Sequence, residues 1–211
     1  MPPIKSAPVS FSGSPWQRHV ESWKSCQRCS LCQTRANVVL ARGAVPCDLL
    51  LCGEAPGKSE DALGQCFVGP AGRLLDQIVL DALVPWQVDG TEGFSCNSIR
   101  VGRTNLVACV PVDEEGKKDG PPSDESIKAC LPRLKEFVQL CRPRLICCVG
   151  RLATDWINSK RRGGLVLDQP VPPMVDIDHP AAVLRANWAQ QGLMRQRCVV
   201  VLRRACEEHL S

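Results

Sequence analysis

The stretch LLLCGEAPGKSED, residues 49–61, is an apolar run that ends abruptly at glycine, glutamate and proline. An apolar run that stops at Gly and Pro is typical of a buried strand followed by a loop. In open α/β sheets, the loops at the carboxyl ends of the strands carry the ligands. We therefore expect Glu54, Glu60 and Asp61 to lie at the rim of such a sheet, in or beside a functional site.

Apolar segments and amphipathic segments alternate along the rest of the chain. Together with residues 47–53, three further apolar segments predict strands, at 99–109, 143–150 and 172–180. Segments expected to be helical lie before, between and after them, at 16–35, 71–84, 124–141, 151–158 and 187–209. Alternation of this kind is typical of a parallel sheet with helices on both faces. The sequence predicts a three-layer α/β/α sandwich around a short, mainly four-stranded parallel sheet.

The composition limits the class of protein. The chain has 211 residues, of which 44% are hydrophobic, enough for one globular domain with a substantial core. No apolar run approaches the length of a membrane span, and no basic segment followed by an apolar core opens the chain. We expect a cytoplasmic protein with a flexible Pro/Ser-rich arm at residues 1–15 and a single domain at 16–211.

Fourteen cysteines are the most unusual feature of the composition. Many lie inside apolar runs, where Cys packs as a small hydrophobic residue. Cys26, Cys29 and Cys32 are instead separated by two residues each in a polar segment, the close spacing with which thiolates bind one metal centre. A second pair must come from elsewhere, and the best candidates are Cys109 and Cys130, at the ends of polar or loop segments. Four thiolates suit zinc and an iron–sulfur cluster equally well.

Further polar residues lie near the ends of the predicted strands. Asn105 lies near the end of the second strand segment, and His179 ends the fourth. The carboxyl ends of parallel strands meet at one rim, so we expect Glu54, Asn105 and His179 to lie together. Phe67 is either core filler or a site residue, because a Gly/Pro loop flanks it. The basic cluster at 159–164 indicates either a solvated surface or a nucleic-acid contact, and the net charge of +4 adds little.

Several of these motifs together carry a resemblance to a known family. They occur in the order seen in family-4 uracil-DNA glycosylases: CQRC at 26–29, GEAPGKSEDALGQCFVGPAGRLLD at 53–76, TNLVAC at 104–109, AC at 129–130, RRGG at 161–164 and HPAAVLR at 179–185. The resemblance covers roughly residues 20–205. It implies a monomeric DNA-repair enzyme that flips uracil out of single- or double-stranded DNA and hydrolyses its N-glycosidic bond, which leaves an abasic site.

The resemblance also implies a cofactor and DNA contacts. It implies a [4Fe–4S] cluster whose ligands in this chain are Cys26, Cys29, Cys109 and Cys130. It further implies phosphate contacts from three arginines and a minor-groove wedge in the loop HPAAVLR, namely Arg161, Arg162, Arg185 and the wedge Leu184. The loop 110–124 is longer than the family leads us to expect. Residues 110–129 contain no His, so we expect ordinary turnover rather than covalent trapping of the substrate.

Roles at the base follow from the same resemblance. Phe67 corresponds to the aromatic ring that stacks on the base, and Asn105 to the side chain that reads it. Ala55, two residues after Gly53, occupies the place where better-known uracil glycosylases have an Asp. Activation of water therefore falls to another carboxylate, for which Glu60 is the first choice and Glu54 the second.

Stabilisation of the leaving group at uracil O2 falls to His179 or to backbone N–H groups of the Glu54 loop. Two alternatives to this function stay open. The protein could be a glycosylase of the same superfamily for another base, such as hypoxanthine or a modified pyrimidine. It could also be a catalytically inactive, metal-stabilised DNA-binding module.

Overall fold

A computed structural model describes residues 13–87, 99–111, 120–158, 165 and 170–210. It confirms the predicted sandwich, and the described residues form a sheet of five strands: β1 (Arg42–Gly43), β2 (Leu49–Gly53), β3 (Val101–Asn105), β4 (Leu145–Val149) and β5 (Met174–Ile177). The strand order is β1-β3-β2-β4-β5. The four predicted strands run parallel, and β1 pairs antiparallel to β3 at one edge. The sequence missed β1 because two residues are too few to show a period.

Strand β2 is fully buried because it lies between two hydrophobic cores. All five of its residues are buried. Leu49 and Leu51 pack into the core on one face of the sheet, whereas Leu50 and Cys52 pack into the core on the other. A strand covered on both faces shows a continuous apolar run instead of alternation, which is the pattern that opens the motif at 49–61.

Seven helices surround the sheet in the described part of the chain: α1 (Pro15–Trp23), α2 (Lys58–Leu63), α3 (Pro70–Gln87), α4 (Asp124–Cys141), α5 (Arg151–Ile157), α6 (Pro180–Arg185) and α7 (Trp188–Leu210). Helices α3 and α7 supply buried residues to one core, and α4 and α5 to the other. None of the described helices is long and apolar enough to cross a membrane.

Helix α4 matches its prediction from end to end. The hydroxyl of Ser123 caps it by accepting a hydrogen bond from the Ser126 N–H. Pro132 lies inside the helix and cannot donate to the carbonyl of Lys128. Both residues lie on the exposed side of the helix, so water can reach that carbonyl. The buried side of α4 packs on the sheet without interruption.

Two predicted segments differ from the structure. The predicted helix at 16–35 is wrong beyond its first half, because α1 begins at Pro15 and ends at Trp23. The cysteines that follow lie in irregular backbone and a short 3₁₀ turn (Ser30–Gln33), and the Arg35 guanidinium donates to the Cys26 carbonyl at 2.5 Å. The predicted loop HPAAVLR is helix α6, with Pro180 as its first residue. Of the arm predicted at 1–15, residues 1–12 lie outside the described residues.

Candidate active site and cysteine pocket

A cavity of about 420 Å³ lies at the carboxyl ends of β2, β3 and β5. Its walls include most of the residues that the sequence proposed for the site: Glu54, Ala55, Glu60, Phe67, Asn105, His179 and Arg185. Parallel strands end at one rim of the sheet, which is why residues more than a hundred positions apart meet there. The predicted convergence of Glu54, Asn105 and His179 is therefore observed.

Gly53 lies between the side chains of Phe67 and Asn105, which both line the cavity. A Cβ atom at this position would lie 2.5 Å from Asn105 Oδ1 and 2.6 Å from Phe67 Cζ. Neither distance is compatible with a real side chain, so the ring and the amide approach each other only because residue 53 has no side chain. Gly53 thus sets the spacing of the pocket without offering a polar group of its own.

The backbone of Phe67 is held in an uncommon conformation. Its φ angle is 55°, in the left-handed region that non-glycine residues rarely adopt. Arg42 donates to the Phe67 carbonyl at 3.2 Å and pairs with Asp76 at 2.8 Å. Gly72 allows the same carbonyl to approach helix α3, since a Cβ there would clash with it. Several independent contacts therefore hold the backbone of Phe67 in this conformation. Backbone strain of this kind is typical of functional sites.

Asn105 is buried at the end of β3, and its amide has little competition from the protein. Its Nδ2 donates to the Cys66 sulfur at 3.9 Å, a weak hydrogen bond that a better acceptor would replace. The backbone carbonyl of Asn105 accepts a hydrogen bond from Arg133 at 2.5 Å. The main chain is thus tied down while the side-chain amide remains available to a ligand in the cavity.

His179 is the N-cap of helix α6, and this fixes its proton. Its Nδ1 accepts a hydrogen bond from the Ala181 N–H at 3.2 Å, so the proton of the neutral ring must lie on Nε2. Burial, and to a lesser extent the charge of Arg185, lower the pKa of His179 below its ordinary value. The ring is therefore neutral at physiological pH and has one N–H to donate.

The two candidate carboxylates are in different environments. Both oxygens of Glu60 accept backbone N–H groups, from Gly69 at 2.7 Å and from Gly57 at 3.2 Å, so this side chain ties two loops together. Glu54 is half-buried in the cavity wall, and burial raises its pKa above the ordinary value while Arg185 partly offsets that rise. Glu54 is the carboxylate whose protonation responds to the cavity.

Asp61 belongs to the packing of the loop and not to the cavity wall. It is buried, and its carboxylate accepts the N–H groups of Ala36 at 2.8 Å and Asn37 at 3.0 Å. Asn37 returns a hydrogen bond to the Asp61 carbonyl at 2.7 Å. The third acid of the opening motif therefore connects α2 to the segment that follows the first cysteines.

A second, apolar pocket lies on the other side of the end of β3. Its walls include the four cysteines named as ligands, together with three arginines: Cys26, Cys29, Cys109, Cys130, Arg28, Arg35 and Arg133. Cys32 is not one of its lining residues. Arg35 donates to the Cys109 sulfur at 3.3 Å. Burial raises the pKa of the Cys109 thiol to about 11, and the neighbouring Arg35 opposes that rise.

The donor set of this pocket fits an anionic group held by four thiolates, as an iron–sulfur cluster is. In the described part of the chain, no three Cys, His or acidic side chains are grouped closely enough to hold one metal ion. A cluster has an iron atom at each of four corners, so it needs thiolates that stand further apart than those around one zinc ion. The three arginines add positive charge, and Arg133 Nε is buried without a partner among the described residues. That charge and that donor suit an anionic thiolate group.

Comparisons with known proteins show the family of this chain. A profile described as the Uracil DNA glycosylase superfamily matches residues 41–203. A type-4 uracil-DNA glycosylase of Pyrobaculum aerophilum is 34% identical over 186 residues, which cover 80% of this chain and 84% of that protein. The chain belongs to the type-4 uracil-DNA glycosylase family.

Two other type-4 relatives match over a shorter span. Those of Sulfurisphaera tokodaii and Saccharolobus solfataricus are 34% and 33% identical, over 64% and 65% of this chain. The matched segments span little more than half of those relatives, 54% and 56% of their lengths.

The structure describes only some of the residues that the type-4 resemblance assigns to contacts with DNA. Leu184 is 43% exposed on helix α6, beside the cavity entrance that Arg185 helps to form. Arg161 and Arg162 lie outside the described residues, as do residues 112–119 of the lengthened loop. Leu184 and Arg185 are therefore placed next to the cavity by the short helix that His179 caps.

Two residues that hold the backbone of this site in place were not predicted from the sequence. Arg133 and Arg42 fix the backbones of Asn105 and Phe67, and neither belongs to a quoted motif. For Arg133 a signal was present, because it falls on the apolar face of helix α4, three residues after Cys130. A charged residue on the buried face of a helix requires buried partners, and this one has them.

Changing Gly53 to Ala tests the close approach of Phe67 and Asn105. The added methyl group would push both side chains apart, so we expect the free energy of unfolding to fall by about 1–3 kcal/mol, as for other overpacked cores. Urea denaturation measures this change. Gly192→Ala is the matched control, because nothing lies within 4 Å of a Cβ at that helical site, and alanine there should stabilise by about 0.5–1 kcal/mol. Equal effects of the two substitutions would contradict the packing.

Proposed function

We propose that this protein removes uracil from DNA by hydrolysing the bond between uracil N1 and the sugar C1′, which leaves an abasic site. The observation that carries the proposal is the meeting of Phe67, Asn105 and His179 in one cavity of a type-4 family chain. The substrate is uracil-containing DNA, single- or double-stranded, and the cavity receives the nucleotide after it has left the base stack. A monomer in the cytoplasm stays our expectation.

Recognition of the base rests on the amide of Asn105. Its oxygen can accept the N3–H of uracil while its nitrogen donates to uracil O4. Cytosine presents the opposite pattern at both positions, so it would leave two buried groups unpaired, at about 1–3 kcal/mol for each. Phe67 stacks on the face of the base, and the absence of a side chain at Gly53 lets ring and amide lie close enough to contact the same base.

Departure of uracil leaves negative charge on the base and positive charge on the sugar. The electron pair of the C1′–N1 bond goes to N1 and is shared with O2. His179 Nε2–H donates a hydrogen bond to O2, and because the ring is neutral at the start it stabilises this charge without a proton transfer. The cap at Ala181 keeps Nε2–H as the donor throughout.

Water must then attack C1′, and we assign its orientation to Glu54. Ala55 provides no carboxylate, and the oxygens of Glu60 already accept two backbone N–H groups. An ionised Glu54 accepts a proton of the water and stabilises the sugar cation. We assign to Glu60 the positioning of the Gly57 and Gly69 loops. Glu54 thus replaces Glu60 as the first choice for the carboxylate that orients water.

Contacts to DNA surround the cavity entrance. We propose that Leu184 fills the space left by the flipped nucleotide and that Arg185 binds a phosphate beside it. Arg161 and Arg162 are further proposed phosphate contacts. A basic contact of this kind makes binding weaken as the salt concentration rises.

We further propose that the pocket lined by Cys26, Cys29, Cys109 and Cys130 holds a [4Fe–4S] cluster. When bound, the cluster supplies a rigid cross-link between four thiolates and no step of the reaction. The cysteines come from the segment after α1, the end of β3 and helix α4, so the cluster ties these three parts together. Its role is to keep the irregular N-terminal segment against the sheet.

The function is tested with duplex and single-stranded oligonucleotides that contain uracil, thymine, cytosine, hypoxanthine or 5-hydroxymethyluracil, with alkali cleavage at abasic sites. We expect cleavage at uracil only. In Asn105→Asp, a second acceptor replaces the donor that faces uracil O4, so uracil excision should fall by about 10²-fold or more while DNA binding is retained.

Other outcomes of the assay have defined meanings. Cleavage at hypoxanthine or at a modified pyrimidine in preference to uracil would assign another base to the same pocket. Binding without cleavage of any substrate would identify an inactive DNA-binding module. Unchanged uracil excision by Asn105→Asp would contradict the proposed reader.

The two carboxylates are separated by their glutamine variants and by pH. Single-turnover excision should fall about 10²-fold in Glu54→Gln, the usual scale for a positioned acid–base group. Since Glu54 acts ionised and its pKa lies above its ordinary value of 4.5, wild-type activity should rise with pH through that raised pKa. This dependence should disappear in Glu54→Gln. Glu60→Gln should retain it, with a loss of melting temperature from a weakened loop contact.

A matched pair of cysteine variants tests the cluster. The wild type purified without oxygen should contain about four irons and four sulfides per chain and absorb broadly near 400 nm. Cys26→Ala should lose this absorption, because it removes a ligand. Cys32→Ala should keep it, although Cys32 has the same spacing from Cys29. Full occupancy by zinc without sulfide would exclude the cluster.

A further inference from the structure

The inference concerns Arg133, which lies between the base cavity and the cysteine pocket. It is 1% exposed and is part of the buried face of helix α4. Its Nη1 donates to Thr104 Oγ1 at 2.8 Å, and its Nη2 donates to the carbonyls of Asn105 at 2.5 Å and Leu106 at 2.9 Å. One side chain therefore satisfies three acceptors where the β3 ladder stops.

These hydrogen bonds fix the backbone that carries the base reader. Beyond Asn105, strand β3 no longer pairs as a ladder, although the N–H groups of Leu106 and Val107 still donate to Gly53 and Glu54 at 2.9 and 3.3 Å. The Thr104 hydroxyl in turn donates to the Leu40 carbonyl at 2.9 Å. Arg133 does not line the cavity, so it acts on the position of the Asn105 amide through these hydrogen bonds to the backbone and to Thr104.

The charge of Arg133 needs a counter-charge. Burying a guanidinium costs several kcal/mol unless an anion compensates it. No ion pair joins Arg133 to a carboxylate within the described ranges, and its Nε is buried there without a partner. Arg133 nevertheless lines the pocket of the four cysteines. A cluster held by four thiolates is anionic, and it would supply a counter-charge that no ion pair to Arg133 provides among the described residues.

We infer that Arg133 is a positioning residue that links the cluster to recognition of the base: it pairs electrostatically with the cluster and holds Asn105 by its hydrogen bonds. The inference rests on the proposed function and on the proposed cluster. Through the Arg133 side chain, the cluster would affect the cavity in addition to cross-linking the N-terminal segment. Arg133 itself does not touch the substrate.

Two substitutions separate the charge of Arg133 from its hydrogen bonds. Arg133→Lys keeps the positive charge but loses the planar fork that reaches three acceptors. Arg133→Met keeps much of the volume and loses both. Arg203→Met is the matched control, since Arg203 also donates to a backbone carbonyl, that of Asp81 at 2.6 Å, and also leaves a buried Nε without a partner in the described chain.

The charge is tested by the reduction potential of the cluster in protein reconstituted with iron and sulfide. Loss of a nearby positive charge disfavours the reduced cluster, so we expect a more negative potential in Arg133→Met. Arg133→Lys and Arg203→Met should keep the wild-type potential. A wild-type potential in Arg133→Met would overturn the electrostatic pairing.

The hydrogen bonds are tested by hydrogen exchange of the backbone amides of Leu106 and Val107, which requires no activity. We expect exchange to be about tenfold faster or more in both Arg133 variants and unchanged in Arg203→Met. Single-turnover uracil excision should fall by about 10- to 100-fold in Arg133→Lys, the scale of a small misplacement of a binding group. Wild-type exchange and excision in Arg133→Lys would overturn the positioning role.

The same measurements distinguish failure of the inference from failure of its premises. A wild type that fails to excise uracil, while the Arg133 variants still change the exchange of Leu106 and Val107, would reject the proposed function and leave the structural link intact. A wild type without iron or sulfide would overturn the link to the cluster. An active, iron-containing wild type with unaffected Arg133 variants would reject the inference alone.

Discussion

The close approach of the Phe67 and Asn105 side chains at Gly53 is the constraint on which the rest of the site depends. The two side chains come from different parts of the chain, and each would lie within about 2.6 Å of any Cβ at residue 53. A fully apolar strand delivers Gly53 to this place, and the parallel pairing of Gly53 with Asn105 puts the amide directly beside it. The strained backbone of Phe67 and its contact with Arg42 serve the same spacing.

Three acids within eight residues have three separate roles because of their surroundings. Asp61 accepts backbone N–H groups behind the loop, and Glu60 accepts them between two loops. Glu54 lies half-buried in the cavity wall, and this burial raises its pKa above the ordinary value. Carboxylates that accept backbone N–H groups hold loops in place, and a half-buried carboxylate with a raised pKa at a cavity is suited to chemistry.

The cavity and the cysteine pocket are adjacent because both use the end of β3. Asn105 and Cys109 are four residues apart, and helix α4 brings Cys130 and Arg133 to the same place. The buried face of α4 thus lines the cysteine pocket and supports a strand end at once. Two sites that appear unrelated in the sequence share one piece of backbone.

The sequence by itself determined the sandwich, the four parallel strands and the rim at which Glu54, Asn105 and His179 meet. These follow from local periodicity and from the rule that parallel strands end on one side. It also indicated the cysteine ligands through the family resemblance. The edge strand at Arg42–Gly43 and the end of α1 at Trp23 were beyond it, because neither has a period of its own.

Only the tertiary structure decided what each polar side chain contacts. The Ala181 N–H fixes the proton of His179 on Nε2, and the Gly57 and Gly69 N–H groups occupy Glu60. Arg133 appears in the sequence as one charge in a helix, and its three acceptors lie 27 to 29 residues away. A sequence pattern records which residues are buried, but hydrogen bonds between distant residues form only when the sheet brings them together.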